Sequence, residues 1–324
     1  MTLFTLTEIE AAAALVHASV PPSPQHRWPL LAEAVGCDVI VKHENHLPTG
    51  AFKVRGGVTF VDWLRRERPD APGLVTATRG NHGQSQARAA TAAGLRALVY
   101  VPHGNSPEKN AAMRAWGAEL VVHGRDFDEA REEAFRVGAE EGLEIVPPFH
   151  RELVRGVSTY AWELLSAHPE IDTLYVPIGC GSGICGCIAA RDALGHRAEI
   201  VGVVSTEAPT AQLSAAAGRA VETDSAHTFA DGMAVRMPVP EALAIYAEGA
   251  ARILAVTDNE VAEAIRLYWT ATHNAAEGAG AAPLAGLMQE RDRMEGRTAA
   301  VILCGGNIDA GKMAAILSGE TPAP

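Results

Sequence analysis

Along most of the chain, short runs of β-branched and aliphatic residues alternate with longer stretches in which alanine and leucine recur at helical spacing among charged positions. The runs predict strands at Asp38–His43, Leu74–Ala77, Ala97–Val101, Glu119–Val122, Thr173–Pro177, Glu199–Val204, Arg252–Val256 and Ala299–Leu303. The periodic stretches predict helices over Gln84–Ala93, Pro107–Trp116, Asp128–Glu141, Thr159–Ala167 and Asn259–Thr272. Thr257 and Glu260 have capping-box spacing, which marks the start of the last of these. Regular alternation of this kind is the pattern of an α/β protein: mainly parallel sheets with helices on both faces. No internal repeat, low-complexity tract or long linker interrupts it.

The glycines punctuate this pattern in two ways. Gly94, Gly117, Gly142 and Gly195 stand where helices would end and read as C-caps. Others gather at strand-to-helix junctions, at Gly50, Gly56 and Gly57, then Gly80 and Gly83, then Gly179, Gly181 and Gly183, and finally Gly305 and Gly306. Loops beyond the C-terminal ends of parallel strands are where such folds bind ligands.

Composition narrows the possible partners. With 324 residues, 48% hydrophobic and 20% charged, the chain reads as globular and of about two domains. Its 27 Lys and Arg against 39 Asp and Glu give a net charge of −12, a poor match for nucleic acid or an anionic membrane. The start MTLFTLTEIEAAAALV fits neither a secretory signal nor a transit peptide, and no apolar run is long enough to cross a bilayer. Five cysteines without a CxxC pair argue against a disulfide framework, and the crowding of Cys180, Cys185 and Cys187 reads as buried thiols rather than a zinc site. The expected compartment is the cytoplasm, and the expected partner is a small molecule.

Four junctions carry chemistry. In Lys42-His43-Glu44-Asn45-His46-Leu47-Pro48-Thr49-Gly50-Ala51-Phe52-Lys53-Val54-Arg55-Gly56-Gly57, a Pro-Thr-Gly turn holds Lys53 at a helix start, where desolvation favours the neutral, nucleophilic amine. In Thr78-Arg79-Gly80-Asn81-His82-Gly83-Gln84-Ser85, helix-start amides suit a carboxylate and the Asn81 amide suits a phenolate oxygen. In Gly179-Cys180-Gly181-Ser182-Gly183, glycines let backbone amides turn inward around a phosphate, without the Lys-Ser/Thr ending of an ATP loop. The last strand ends Cys304-Gly305-Gly306-Asn307.

Together these runs resemble the motifs of fold-type II (tryptophan-synthase-like) pyridoxal-phosphate (PLP) enzymes, in their serine/threonine dehydratase branch. Two further stretches match it, Ala230-Asp231-Gly232-Met233-Ala234-Val235 and Glu277-Gly278-Ala279-Gly280-Ala281-Ala282. The resemblance implies PLP as cofactor, with Lys53 as the Schiff-base lysine and catalytic base. Phe52, Asn81 and Cys304 would lie against the ring, and Gly179, Cys180, Gly181, Ser182 and Gly183 against the phosphate. Thr78, Arg79, Gly80, His82, Gln84 and Glu277 would face the substrate. For His82 a packing role, for Glu277 a helix-start role, and for Cys304 a structural thiol are the plainer readings.

Departures from the family pattern refine the expectation. Arg79 stands where a serine serves as second acid/base in serine racemases; an arginine cannot relay a proton, so racemisation is disfavoured. Arg79 either binds a carboxylate or stands exposed at the loop rim. Ala51, Gly57 and Gly83 lack bulk found in the family, which opens the reading to a larger substrate such as L-threo-3-phenylserine; an inward Arg79 would suit 3-hydroxyaspartate. Val204 and Thr210 stand where metal-binding relatives have carboxylates, so no metal is expected, unless Glu207 supplies a ligand in a shifted register.

The reading is a dehydratase (ammonia-lyase) of a β-hydroxy α-amino acid, by family default L-threonine or L-serine. The alternatives are a racemase or β-replacement enzyme of the same fold, or a non-catalytic PLP-binding protein. The expected architecture is a large PLP-binding domain from residues 1–72 and 151–324, a small mobile domain from 73–150, no C-terminal regulatory domain, and a homodimer.

Overall fold

The computed structural model describes residues 2–324. The chain runs α1 (Leu6–His17), β1 (Gln25–Arg27), α2 (Pro29–Val35), β2 (Asp38–His43), α3 (Lys53–Glu67), β3 (Gly73–Ala77), α4 (Asn81–Ala92) and β4 (Arg96–Val101). It continues α5 (Pro107–Ala115), β5 (Glu119–Val122), α6 (Phe127–Glu141), β6 (Glu144–Ile145), α7 (Arg151–Ala167), β7 (Thr173–Pro177) and α8 (Ser182–Leu194). The remainder is β8 (Glu199–Ser205), α9 (Thr210–Ala217), α10 (Pro240–Gly249), β9 (Arg252–Val256), α11 (Asp258–Thr272), α12 (Gly278–Gln289), β10 (Thr298–Leu303) and α13 (Ala310–Leu317).

Each predicted strand is present to within one residue at either end. Strands β1 and β6, of three and two residues, are too short to show a hydrophobic period. The helix expected from Thr159 begins eight residues earlier. His150 accepts the Glu152 amide and starts α7, whose first turn packs Leu153 and Val154 inward. The Thr257/Glu260 capping box is formed.

Two sheets organise the chain. One has the order β1-β2-β10-β7-β8-β9, parallel except for β1; the other has the order β5-β4-β3-β6, all parallel. All strands of the second sheet lie between Gly73 and Ile145. Period-two burial clothes both of its faces: Leu74 and Ala97 point into one apolar cluster with Ala87 and Ala90 of α4, while Val75, Leu98 and Tyr100 point into another with Ala130 and Ala134 of α6. The larger sheet carries the main core, with α8 and α12 both packed on it.

Strand order alone locates a crevice. In the larger sheet the chain steps outward from β7 to β9, then returns to place β10 on the other side of β7. Right-handed crossovers therefore put the helix after β7 and the helices before β10 on opposite faces, and the loops after β7 and β10 part between them. The smaller sheet repeats the device at β3, flanked by β4 and β6. The loops at these switch points are Gly179–Gly183, Cys304–Asn307 and Thr78–Gly80.

Candidate active site

Lys53 is the first residue of α3, and the backbone on both sides of it is tied to the end of β10. Ala51 forms an antiparallel bridge with Gly305, the Phe52 amide donates to Cys304 O at 2.9 Å, and the Gly306 amide donates to Gly50 O at 2.9 Å. Ser85 Oγ of α4 donates to the Lys53 carbonyl at 2.6 Å. The Lys53 Nζ lies 5.0 Å from the centre of the Phe52 ring. Its positive charge acts on Cys180, Cys304, Glu277 and His82 alike, so the amine stands where all three loops converge.

Beneath this helix the motif's other charges form one buried cluster. Arg55 donates from Nε to Glu44 Oε2 at 2.7 Å and from Nη1 to Glu163 Oε1 at 2.6 Å; Lys42 Nζ donates to Glu163 Oε2 at 2.5 Å. Ser23 Oγ and Thr159 Oγ1 complete the bonding to Glu44 and Arg55. Lys42, Glu44 and Arg55 are inaccessible to solvent, and the paired cations hold Glu163 down at about 2. Each buried charge is matched, which is the condition for keeping it there. Linear reading missed this cluster because Glu163 lies more than a hundred residues away; the available signal was an acid inside the apolar stripe of α7.

The loop after β7 is a cradle of backbone. Gly181 caps α8 with φ +96°, the left-handed region in which a side chain is strained, and a Cβ there would lie 2.6 Å from the Ala242 methyl. A Cβ on Gly179 would lie 2.1 Å from Gly232 O. Cys185 is the first residue of α8 to bond back, to Gly181 O at 3.0 Å, which leaves the amides of Ser182, Gly183 and Ile184 in the unpaired first turn.

Cys304 is buried, and desolvation, reinforced by the nearby Glu277, pushes its thiol far above its usual pKa. All five cysteines are free, four of them buried and Cys180 partly so.

Asn81 links the two sheets. Its Nδ2 donates to Glu277 Oε1 at 2.7 Å and its Oδ1 accepts from Asn307 Nδ2 at 2.8 Å, while Asn307 also donates to Thr49 O. Glu277 precedes α12 without capping it, so its side chain serves the cleft rather than the helix start. Burial pushes its carboxyl up to about 7, opposed by Lys109 and Asn81.

Thr78 and Gln84 are buried, and Thr78 Oγ1 accepts the Gly80 amide at 3.1 Å. Arg79 is exposed at the loop rim and makes no ion pair among the described residues. The His82 ring turns inward, and burial followed by the neighbouring Lys53 pushes it down to about 3.

Lys109 and Asp231 were not foreseen as a pair. Lys109 Nζ of α5 reaches across the cleft to Asp231 Oδ2 at 2.6 Å, and the cleft is lined by these two with Gly232, Glu277, Asn307 and Lys312. Ser106 Oγ to Asp309 Oδ1 at 2.6 Å and Glu108 to the Ala310 amide extend the same seam.

The expectation that Gly57 and Gly83 widen the substrate space is not met. A Cβ on Gly57 would lie 2.4 Å from Ser85 Oγ, and one on Gly83 would lie 2.4 Å from the Met113 sulfur and 2.6 Å from Thr78 Cγ2. Their missing bulk serves helix packing. Ala51 is likewise buried, against Gly305. Around Val204 and Thr210, Thr210 Oγ1 donates to Val221 O and Glu207 is exposed; among the described residues no group of three or more His, Cys, Asp or Glu is arranged around a metal. Among the described residues no helix is long and apolar enough to cross a membrane.

Comparison with known proteins agrees with this geometry. The family model described as pyridoxal-phosphate dependent enzyme matches residues 16–305. An L-threonine ammonia-lyase of Geobacter sulfurreducens is 38% identical over 280 residues, 86% of this chain and 69% of that protein. An L-threo-3-hydroxyaspartate ammonia-lyase of Saccharomyces cerevisiae is 28% identical over 91% of this chain and 90% of its own. The crystal structure of a threonine deaminase from T.th. superposes with a TM-score of 0.89 at 30% identity, covering 94% of this chain and 99% of that one. The chain therefore belongs to the pyridoxal-phosphate dependent enzymes, in their serine/threonine dehydratase branch.

Proposed function

We propose that this protein dehydrates a β-hydroxy α-amino acid, L-threonine or L-serine first among them, to a 2-oxo acid and ammonia. The observation that carries the reading is the meeting at Lys53 of a turn of unpaired backbone amides, a buried neutral thiol and the Asn81 amide. These residues fit pyridoxal phosphate. The Gly179 to Gly183 turn offers a phosphate the unpaired amides that start α8, and glycines at 179 and 181 let the turn pack closely on Gly232 and Ala242. Cys304 offers the pyridine nitrogen an uncharged partner, Asn81 offers its amide to the phenolic oxygen, and Phe52 flanks the amine.

When bound, the cofactor supplies a conjugated ring that takes up the electron pair released at Cα. Lys53 would hold it covalently, and once the substrate amine has taken its place on the cofactor, the freed Lys53 amine would be the base that receives the Cα proton. An uncharged Cys304 would offer no counter-charge to a protonated ring nitrogen, which suits loss of a β-hydroxyl better than transamination. The Thr78 to Gln84 loop seats the substrate carboxylate on the start of α4, with Arg79 at its outer edge. Glu277, with its pKa near 7, accepts from Asn81 when ionised and is a proton donor when not.

The unit around the smaller sheet closes over the substrate, and the Lys109–Asp231, Asn81–Glu277 and Ser106–Asp309 contacts form the seam that excludes water. The protein pairs as a homodimer in the cytoplasm. Exposed Leu30, Trp269 and Leu317 on three adjoining helices, α2, α11 and α13, support the pairing, and the free thiols support the compartment.

Lys53→Ala tests the assignment. It should abolish 2-oxo acid release from threonine and serine and remove the visible absorbance of bound cofactor. Retained turnover would exclude Lys53 as the covalent residue, and wild-type protein that releases no 2-oxo acid from any β-hydroxy amino acid would exclude the reaction.

A further inference from the structure

Two side chains of α4 carry polar atoms that the fold buries and leaves without a partner: Nε2 of His82, and both Nε2 and Oε1 of Gln86. Gln86 is wholly inaccessible. The two residues are four apart on one helix, so their side chains neighbour each other on the same face.

The other side of the His82 ring faces the backbone of Val146, whose carbonyl accepts from Thr76 Oγ1 at 2.9 Å. With Nε2 unpartnered, Nδ1 is the nitrogen left to face that carbonyl, and a carbonyl can only accept, so the hydrogen belongs on Nδ1. Nε2 is left as a bare acceptor in a buried site. One turn further along, Gln86 has amide hydrogens with nothing to receive them. The deficit at one residue is the complement of the surplus at the other, and buried polar groups are retained where such deficits are met.

We propose that Gln86 is a positioning residue for His82. Its amide donates to His82 Nε2 through one buried water that also satisfies Gln86 Oε1, and so fixes the ring as the Nδ1–H tautomer beside Lys53. Pinned between the end of β6 and the middle of α4, the ring holds the preceding Asn81 against Glu277 and Asn307. It also keeps a second cation from forming next to the Lys53 amine.

The test is the tautomer itself, read by long-range proton–nitrogen NMR on cofactor-loaded protein carrying nitrogen-15 histidine, with His82→Asn identifying the resonance. In the wild type, His82 should be neutral with hydrogen on Nδ1, its Nε2 shift should be that of a hydrogen-bonded acceptor, and neither should change across neutral pH. In Gln86→Leu the Nε2 shift should move to that of a free acceptor or the other tautomer should appear, and kcat should fall several-fold with KM retained. Gln86→Met, closer in shape, serves if the leucine variant does not fold. A wild-type ring with hydrogen on Nε2 overturns the proposal. So does a folded Gln86 variant with wild-type melting temperature, unchanged His82 shifts and unchanged kcat. The NMR readout is independent of which amino acid is the substrate.

Discussion

At Glu277 a carboxyl is held where burial pushes its pKa up to about 7 from an ordinary value of 4.5. A group whose folded pKa is raised favours the folded state below its unfolded pKa and loses that contribution as pH rises through the folded one. The window here runs from about 4.5 to about 7, and the loss is on the order of 3 kcal/mol. Glu277→Gln keeps an acceptor for Asn81 and removes the ionisation. Its melting temperature in the cofactor-free protein should exceed wild type by more at pH 8 than at pH 5; equal gains at both would sink the account. At Arg79 the charge stands exposed and unpaired beside the proposed carboxylate seat. Arg79→Ala should raise KM for threonine about tenfold, the scale of one charged hydrogen bond, with kcat little changed. Unchanged KM would remove Arg79 from substrate binding. Residue identities at these positions were legible because each sits in a short motif. The Lys109–Asp231 pair was not, because Lys109 lies in a helix outside every motif and only the fold brings it within 2.6 Å of Asp231.

Among the elements, α3 shows how far local sequence reaches. The motif announces Lys53, yet the helix is seated by partners no local pattern encodes: Glu163 on α7 for Arg55, and Ser85 on α4 for the Lys53 carbonyl. Its glycines are points of close approach. A Cβ on Gly156 of α7 would lie 2.3 Å from Arg55 O, so Gly156→Ala should destabilise the protein by about 1–3 kcal/mol, seen as a lowered denaturation midpoint. Gly57→Ala separates packing from substrate space. It should also lower stability, while the ratio of kcat/KM for 3-phenylserine to that for threonine stays as in wild type. A fall in that ratio would return Gly57 to the substrate pocket. Strands were readable because β-branched runs are short and bounded, whereas helices such as α8 and α12 are apolar on all sides and lack a period to find.

For the molecule as a whole, buried ionisable groups set the response to acid. His43, buried and crowded by His46 and His26, and His82 are both pushed down to about 3. On acidification from about 6.5 towards 4.5, the unfolded chain gains two protons that the folded protein refuses, and the folded protein gains one at Glu277 that the unfolded chain refuses. For these three groups the difference, 2 − 1 = 1, lowers stability by about 1.4 kcal/mol per pH unit across that window, and burial of His150 acts in the same direction. His43→Asn should flatten the slope in denaturant titrations, and an unaltered slope would contradict it.

Strand β10, residues 298–303, is hydrogen-bonded between β2 and β7. The sheet's first-made strands thus stay apart until residues 298–303 have left the ribosome, and so do the Lys53 turn and the Gly179 turn that flank the strand's end. Nascent chains arrested before this point should retain no cofactor, and vitamin supply during synthesis would act only on chains that have passed it.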